Sequence, residues 1–168
     1  MIIRCTQKLL KELRIKPQEP EEVSKVGSWH ANLLRIDRRK CVLFTHDMTL
    51  FSVFVAGLKR DDFDHIDHVF GQAMFKTMLL FDFEQTEIER MLDWSEHNSY
   101  AKTNSRSVLG SMNDMAFHIE YHIQADGGLD YADLADLHRR INQIPFKAVG
   151  FKFPVEGLKA LLSGMAGD

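Results

Sequence analysis

The sequence predicts an α+β fold: a single domain over residues 1–168, with an antiparallel β-meander in the N-terminal third packed by helices from the C-terminal two-thirds. Strand-like segments cluster before residue 60, whereas helical periodicity dominates after it. That segregation favours α+β over a doubly wound sheet. Hydrophobic residues make up 45% and charged residues 27% of the 168, which is typical of a globular chain that buries a core without disulfides or metals.

The first elements are short. Residues 2–6, IIRCT, form a β-prone run. The next stretch, TQKLLKEL at 6–13, has leucines at helical spacing and Thr6 as a candidate N-cap. Residues 16–28 contain two prolines and a glycine, which indicates an exposed connector within the domain.

Three β-rich runs follow, and they define the meander. They lie at 29–37, 41–47 and 50–58, with short polar breaks between them. The first break lacks the Asn-Gly pair that marks a two-residue turn, so we expect a four- or five-residue loop there.

After residue 60 the apolar residues recur at helical spacing. A short segment, NSYAKT at 98–103, is either a connector or a strand. The longest helix begins at Asn104 or Ser105 and ends at Gly127-Gly128. The other predicted helices cover residues 63–78, 85–97, 131–144 and 154–162.

Two features of the core carry specific predictions. Gly110 lies inside the long helix, where glycine costs about 1 kcal/mol relative to alanine, so we expect it to pack closely against another backbone. Cys5 and Cys41 each lie in an apolar run, and we expect both thiols to be buried and unpaired.

The chain resembles an uncharacterised family of small bacterial proteins, classed as a domain of unknown function. The resemblance rests on segments that include RCTQKLL, SWHANLL and RSVLGSMND, and they occur in order over most of the chain. It implies no activity and transfers no catalytic residue. The sequence also lacks a Walker loop, a dinucleotide fingerprint, HExxH and GxSxG.

The candidate catalytic residues are His30, His46 and Asp47. If the first hairpin turns at 37–41, position 30 faces 47 or 48, and a His–Asp couple there is a usable general base. The same residues are also explained as polar strand ends bonded to water or backbone. No serine or cysteine is tied to them by spacing.

Histidine and aspartate also recur on helices. Asp114, His118 and His122 are four residues apart and share one helix face, a spacing that suits metal ligands. HIDH at 65–68 repeats the pattern more weakly. A solvated or hydrogen-bonded helix flank also explains the first set, since ligands from one helix rarely complete a site. An acidic helix start, favoured by the helix dipole, explains HIDH. We therefore expect no bound metal and no cofactor.

Anion binding is the remaining hypothesis. Arg106 and Ser107 lie in the first turn of the long helix, whose free N–H groups and dipole attract anions, and Asn113 is the third candidate for the same anion-facing site. Arg38 and Arg39 belong to a basic run, Arg35 to Lys40, in the first hairpin. Such a run contacts phosphate in some proteins and is a solvated turn in others.

Charge and hydropathy limit the function classes. The formal net charge is −3, whereas dedicated duplex-DNA binders are strongly basic. No apolar run reaches the roughly 20 residues that span a bilayer. We expect a cytoplasmic protein whose partner and oligomeric state the sequence leaves open. The leading hypothesis is a binding module that contacts phosphate or nucleic acid, and the alternative is a small hydrolase or nuclease that uses His and Asp, with or without a metal.

Overall fold

A computed structural model describes residues 1–20, 26–150 and 152–165. Its strands are β1 (Ile2–Cys5), β2 (Trp29–Ile36), β3 (Arg39–His46), β4 (Ser52–Leu58) and β5 (Ser99–Lys102). Its helices are α1 (Gln7–Leu13), α2 (Arg60–Asp64), α3 (Ile66–Leu80), α4 (Gln85–Ser95), α5 (Arg106–Ala125), α6 (Leu134–Asn142) and α7 (Pro154–Gly164), with a 3₁₀ turn at Lys147–Val149. None of the helices described is both long and apolar enough to cross a bilayer.

The fold is α+β, and its five described strands form one mixed sheet in the order β4-β3-β2-β1-β5. Strands β2, β3 and β4 form the predicted antiparallel meander. The sheet extends beyond this meander and is mixed, because β1 runs parallel to both β2 and β5. The physical reason is the long connection through α1 and residues 14–28, which returns the chain to the end of the sheet from which β1 started.

Helices cover both faces of the sheet. We call one the α3 face, where Phe70 of α3 packs on Trp29 and Phe44 with ring centroids 5.1 and 4.4 Å apart. Helices α1, α2, α4 and α7 bury side chains in the same core. The opposite α5 face packs against α5 and α6. Because α1 comes from the N-terminal third, the covering helices are not confined to the rest of the chain.

The boundaries of the later helices follow the sequence signals closely. Ser105 caps α5, and its Oγ accepts the Val108 N–H at 3.3 Å. Gly127 and Gly128 follow the helix end with φ values of 95° and 113°, which glycine adopts without strain. The helix predicted over residues 63–78 is two helices, α2 and α3, which are separated at His65.

The two core predictions have opposite outcomes. Cys5 and Cys41 are both buried and free, as expected. The prediction for Gly110 is wrong: the residue is exposed, and a Cβ at this position would meet no atom within 4 Å. Helix α5 therefore turns Gly110 outward and buries Val108 and Met112 instead.

Side chains of α6 close the β4 edge of the sheet. Asn142 Oδ1 accepts the Ser52 N–H at 2.7 Å, and its Nδ2 donates to the Ser52 carbonyl at 2.8 Å. One turn earlier, His138 Nε2 accepts the Phe54 N–H at 3.0 Å. At the β5 edge, the Gln18 N–H donates to the Tyr100 carbonyl at 2.8 Å.

Candidate anion-binding groove

The hairpin between β2 and β3 turns through two residues, Asp37 and Arg38, and not through the four or five that we predicted. Both have positive φ, 49° and 63°, as the tight primed turn requires. Asp37 Oδ2 accepts the N–H of Leu129 at 2.7 Å, which holds the turn against the segment after α5. Aspartate tolerates this backbone region better than most residues, so the chain forms the turn without Asn-Gly.

A β-bulge reshapes the neighbouring strand. Lys40 pairs with Leu58 and Val42 pairs with Val55, so two residues of β4 lie opposite Cys41 alone. Gly57 is one of the two and has φ 70°, a left-handed conformation that disfavours larger residues. The bulge bends the end of β4, and α2 starts immediately after it.

A groove with a volume of about 440 Å³ opens between the hairpin, the bulge and the start of α2. Its lining residues are Arg35, Arg38, Arg39, Lys40, Gly57, Leu58, Lys59 and Arg60. Six of these eight are basic, although the whole chain has a net charge of −3. We call this set the basic groove.

Three of the six cations are committed to carboxylates. Arg39 makes a two-pronged bond to Asp130, at 2.6 and 2.7 Å. Lys40 Nζ lies 2.6 Å from Glu12 of α1, and Arg60 lies 2.5 Å from Asp64. The hydrogen bond from Arg39 lowers the pKa of the Asp130 carboxyl. The Arg39 and Lys40 pairs connect the hairpin to the segment after α5 and to α1, whereas the Arg60 pair lies within α2.

The other three cations are uncommitted. Within the part of the chain that the structure describes, Arg35, Arg38 and Lys59 make no ion pair with a carboxylate. Arg35 and Lys40 are direct neighbours across β2 and β3. Lys40 is neutralised by Glu12, so the positive charge without a carboxylate partner in the described chain is that of Arg35, Arg38 and Lys59.

The sequence indicated only part of this groove. Arg38 and Arg39 were predicted as anion contacts, and both line it. Lys59 and Arg60 were missed. In the sequence these two residues form a basic pair just before an acidic helix start. Nothing in the sequence indicates that the fold brings this pair to the hairpin.

The second predicted anion site lies elsewhere. Arg106, Ser107 and Asn113 are exposed at the start of α5, whereas the end of α5 leads to Leu129, which contacts the hairpin turn. A helix of 20 residues is about 30 Å long. Arg106 and Ser107 therefore do not share a site with Arg38 and Arg39.

The three catalytic candidates do not form a His–Asp couple. His46 Nε2 donates to the Val26 carbonyl at 2.6 Å, and its Nδ1 accepts from the Thr49 hydroxyl at 3.0 Å. Asp47 Oδ1 accepts the Ser28 N–H at 2.9 Å. His30 is adjacent to Trp29, the strand partner of His46, so His30 and His46 project from opposite faces of the sheet.

His30 instead belongs to a buried polar row that sequence reasoning missed. The register places Arg4, His30, Thr45 and Ser52 side by side on four strands of the α5 face, and all four are buried. Neither ring nitrogen of His30 has a hydrogen-bond partner among the residues described. Burial lowers the pKa of His30, while Asn104 approaches the ring without completing a hydrogen bond.

The residues considered as metal ligands lie on helix surfaces. Asp114, His118 and His122 follow the outer side of α5, beside the exposed rings of Phe117 and Tyr121. Among the residues described, no three His, Cys, Asp or Glu side chains are grouped closely enough to hold a metal ion. His65 and His68 are likewise exposed.

Comparison with known proteins identifies a family. The family model described as Domain of unknown function (DUF6933) matches residues 2–157, which is most of the chain. No curated protein and no solved structure matches the sequence.

Proposed function

The chain belongs to the DUF6933 family, a domain of unknown function, and from its basic groove we propose that it is a binding module for compact phosphate-bearing ligands. The observation that carries the proposal is the set of three uncommitted cations, Arg35, Arg38 and Lys59, around one groove. We place this binding in the bacterial cytoplasm.

The division between paired and unpaired cations supports ligand binding over a merely solvated turn. Arg39 and Lys40 are each paired with a carboxylate of another element, so they link the hairpin to its neighbours before a ligand arrives. A site that is preorganised loses less entropy on binding. The two free arginines offer planar forks that match phosphate oxygens, and Lys59 adds a point charge.

The lining also limits the ligand class. Among the residues that the structure describes, no aromatic side chain lines the groove, so this lining offers no surface on which a nucleobase would stack. The volume of about 440 Å³ lies within the range of small-molecule pockets. Together with the net charge of −3, these features favour a small phosphate compound over a nucleic-acid strand.

The test is calorimetric titration of the full chain with inorganic pyrophosphate. We expect saturable binding whose affinity falls as salt rises, because exposed charges are screened. Removing one charged hydrogen bond costs about 1.5–3 kcal/mol, so Arg35→Ala, Arg38→Ala and Lys59→Ala should each weaken binding by roughly tenfold or more.

Matched controls separate the groove from general surface charge. Arg139→Ala and Lys76→Ala remove exposed cations outside the groove and should leave the affinity unchanged. Absence of pyrophosphate binding, or equal losses in groove and control variants, would overturn the proposal. A single-stranded oligonucleotide is titrated in parallel. Tighter binding of the oligonucleotide at equal phosphate concentration would reassign the groove to nucleic acid.

A further inference from the structure

One fully buried histidine has no described partner for either ring nitrogen. His30 is 0% exposed, and both Nδ1 and Nε2 lack a hydrogen bond within the part of the chain that the structure describes. The other buried histidines, His46 and His138, each make two hydrogen bonds through their rings. Because a buried polar atom without a partner is costly, we expect the His30 ring to bond to a group that the described residues do not supply.

A buried guanidinium lies beside this ring. Arg4 of β1 is the direct neighbour of His30 in the sheet and is 8% exposed. Its Nη1 donates to the Lys102 carbonyl at 3.2 Å, and its ion pair with Glu19 is long, at 3.4 Å. The Glu19 side chain is mostly exposed, so solvent screens this pair. The charge of Arg4 can therefore also attract a second anion on the side of His30.

The positive end of α5 lies at the same place. Asn104, the polar side chain that approaches the His30 ring, comes two residues before the helix begins. In the first turn, the N–H groups of Arg106 and Ser107 have no acceptor among the described residues. Free N–H groups and the helix dipole attract anions at such an end. Asn104 is itself exposed, so the buried ring lies close to solvent.

We propose that His30, Arg4 and the start of α5 form a binding site for a small oxyanion of the size of inorganic phosphate. The neutral ring carries one N–H. When the Asn104 amide donates to one ring nitrogen, the other nitrogen carries the proton and donates to the anion. Asp47 is the carboxylate whose charge reaches the ring, and it already accepts a backbone N–H. This site lies at the opposite end of β2 from the basic groove.

Nuclear magnetic resonance of the full chain with isotope-labelled histidine follows the His30 ring directly. The variant His30→Gln identifies the signals of this ring by their loss. Inorganic phosphate is added from about 0.1 to 50 mM at constant ionic strength, a range that covers millimolar affinity. We expect the His30 signals to shift saturably, while those of His138, whose two ring nitrogens are both bonded, stay in place.

Variants locate the bound anion. Arg4→Gln should raise the dissociation constant by about tenfold or more, and Asn104→Ala, which changes an exposed side chain, by about two- to tenfold. Gln124→Ala removes an exposed amide near the far end of α5 and should leave the dissociation constant unchanged. Arg38→Ala, which alters the basic groove, should also leave it unchanged, so the two sites are tested separately.

Three results would overturn the proposal. The first is a His30 spectrum that does not change up to about 50 mM phosphate, as expected of a ring that bonds only to internal water. The second is a dissociation constant that Asn104→Ala leaves unchanged, and this variant decides the question if Arg4→Gln does not fold. The third is loss of the His30 shift in Arg38→Ala, which would assign the bound phosphate to the basic groove.

Discussion

Three buried histidines make the fold sensitive to mild acid. His30, His46 and His138 are at most 9% exposed, and burial lowers the pKa of each imidazole. His138 is bonded as a neutral ring, because Nδ1 donates to the Leu134 carbonyl while Nε2 accepts the Phe54 N–H. Protonation of Nε2 would break that bond.

The sign of the effect follows from the direction of these pKa shifts. Each folded-state pKa lies below the unfolded value of about 6.5, so the unfolded chain binds more protons between the two. The stabilisation is complete above about pH 6.5 and is lost as pH falls through this window. If a ring stays neutral in the folded state, lowering the pH from 6.5 to 5.5 reduces the free energy of unfolding by about 1 kcal/mol.

If all three rings stay neutral in the folded state, the free energy of unfolding falls by about 3 kcal/mol over that single pH unit, a large part of the 5–15 kcal/mol that stabilises a typical domain. Urea unfolding at pH 7.5, 6.5 and 5.5 measures the loss, and the midpoint should fall by roughly 1–2 M between pH 6.5 and 5.5. His138→Gln should remove about a third of this pH dependence, whatever it does to the stability itself. The exposed His97 provides the control, because His97→Gln should leave the pH dependence unchanged. A midpoint that is flat from pH 7.5 to 5.5 would refute the reasoning.

Three further predictions concern single residues. Asn142→Ala should destabilise the fold by about 3 kcal/mol in urea unfolding, because it leaves the buried N–H and C=O of Ser52 without hydrogen-bond partners. A loss no larger than that of the exposed control Gln143→Ala would contradict this prediction. Gly110→Ala should raise the free energy of unfolding by up to about 1 kcal/mol, since its Cβ enters open space. Burial raises the pKa of the Cys5 thiol to about 12, so Cys5 should resist a thiol reagent until the protein unfolds, and rapid labelling of the native protein would count against this.

The sequence predicted the elements whose signal is local. The bounds of α5 follow from a capping serine and a glycine pair, and the meander follows from three β-rich runs with short breaks. The parallel placement of β1 and β5 was not predictable, because each strand has only four residues and its partners are chosen by long-range packing.

The site was only partly predictable because register depends on turn length. A turn of two residues pairs His30 with Thr45, whereas the longer loop that we expected would pair it with position 47 or 48. The basic run at Arg38 and Arg39 was evident in the sequence. The bulge at Gly57 is what brings Lys59 to the same groove as Arg38 and Arg39. A single glycine in a strand indicates a bulge but does not predict the direction of the residues that follow it.

The side chains of α6 have a consequence for how this protein meets other chains. A free sheet edge is a template on which a partner can add a strand. Here Asn142 and His138 occupy the outward backbone groups of Ser52 and Phe54, and Gln18 occupies one at Tyr100 on the other edge. A partner strand cannot form hydrogen bonds with these backbone groups, because they already bond to other parts of the chain. Strand addition is therefore hindered at these positions, which limits the edge-to-edge growth that begins amyloid.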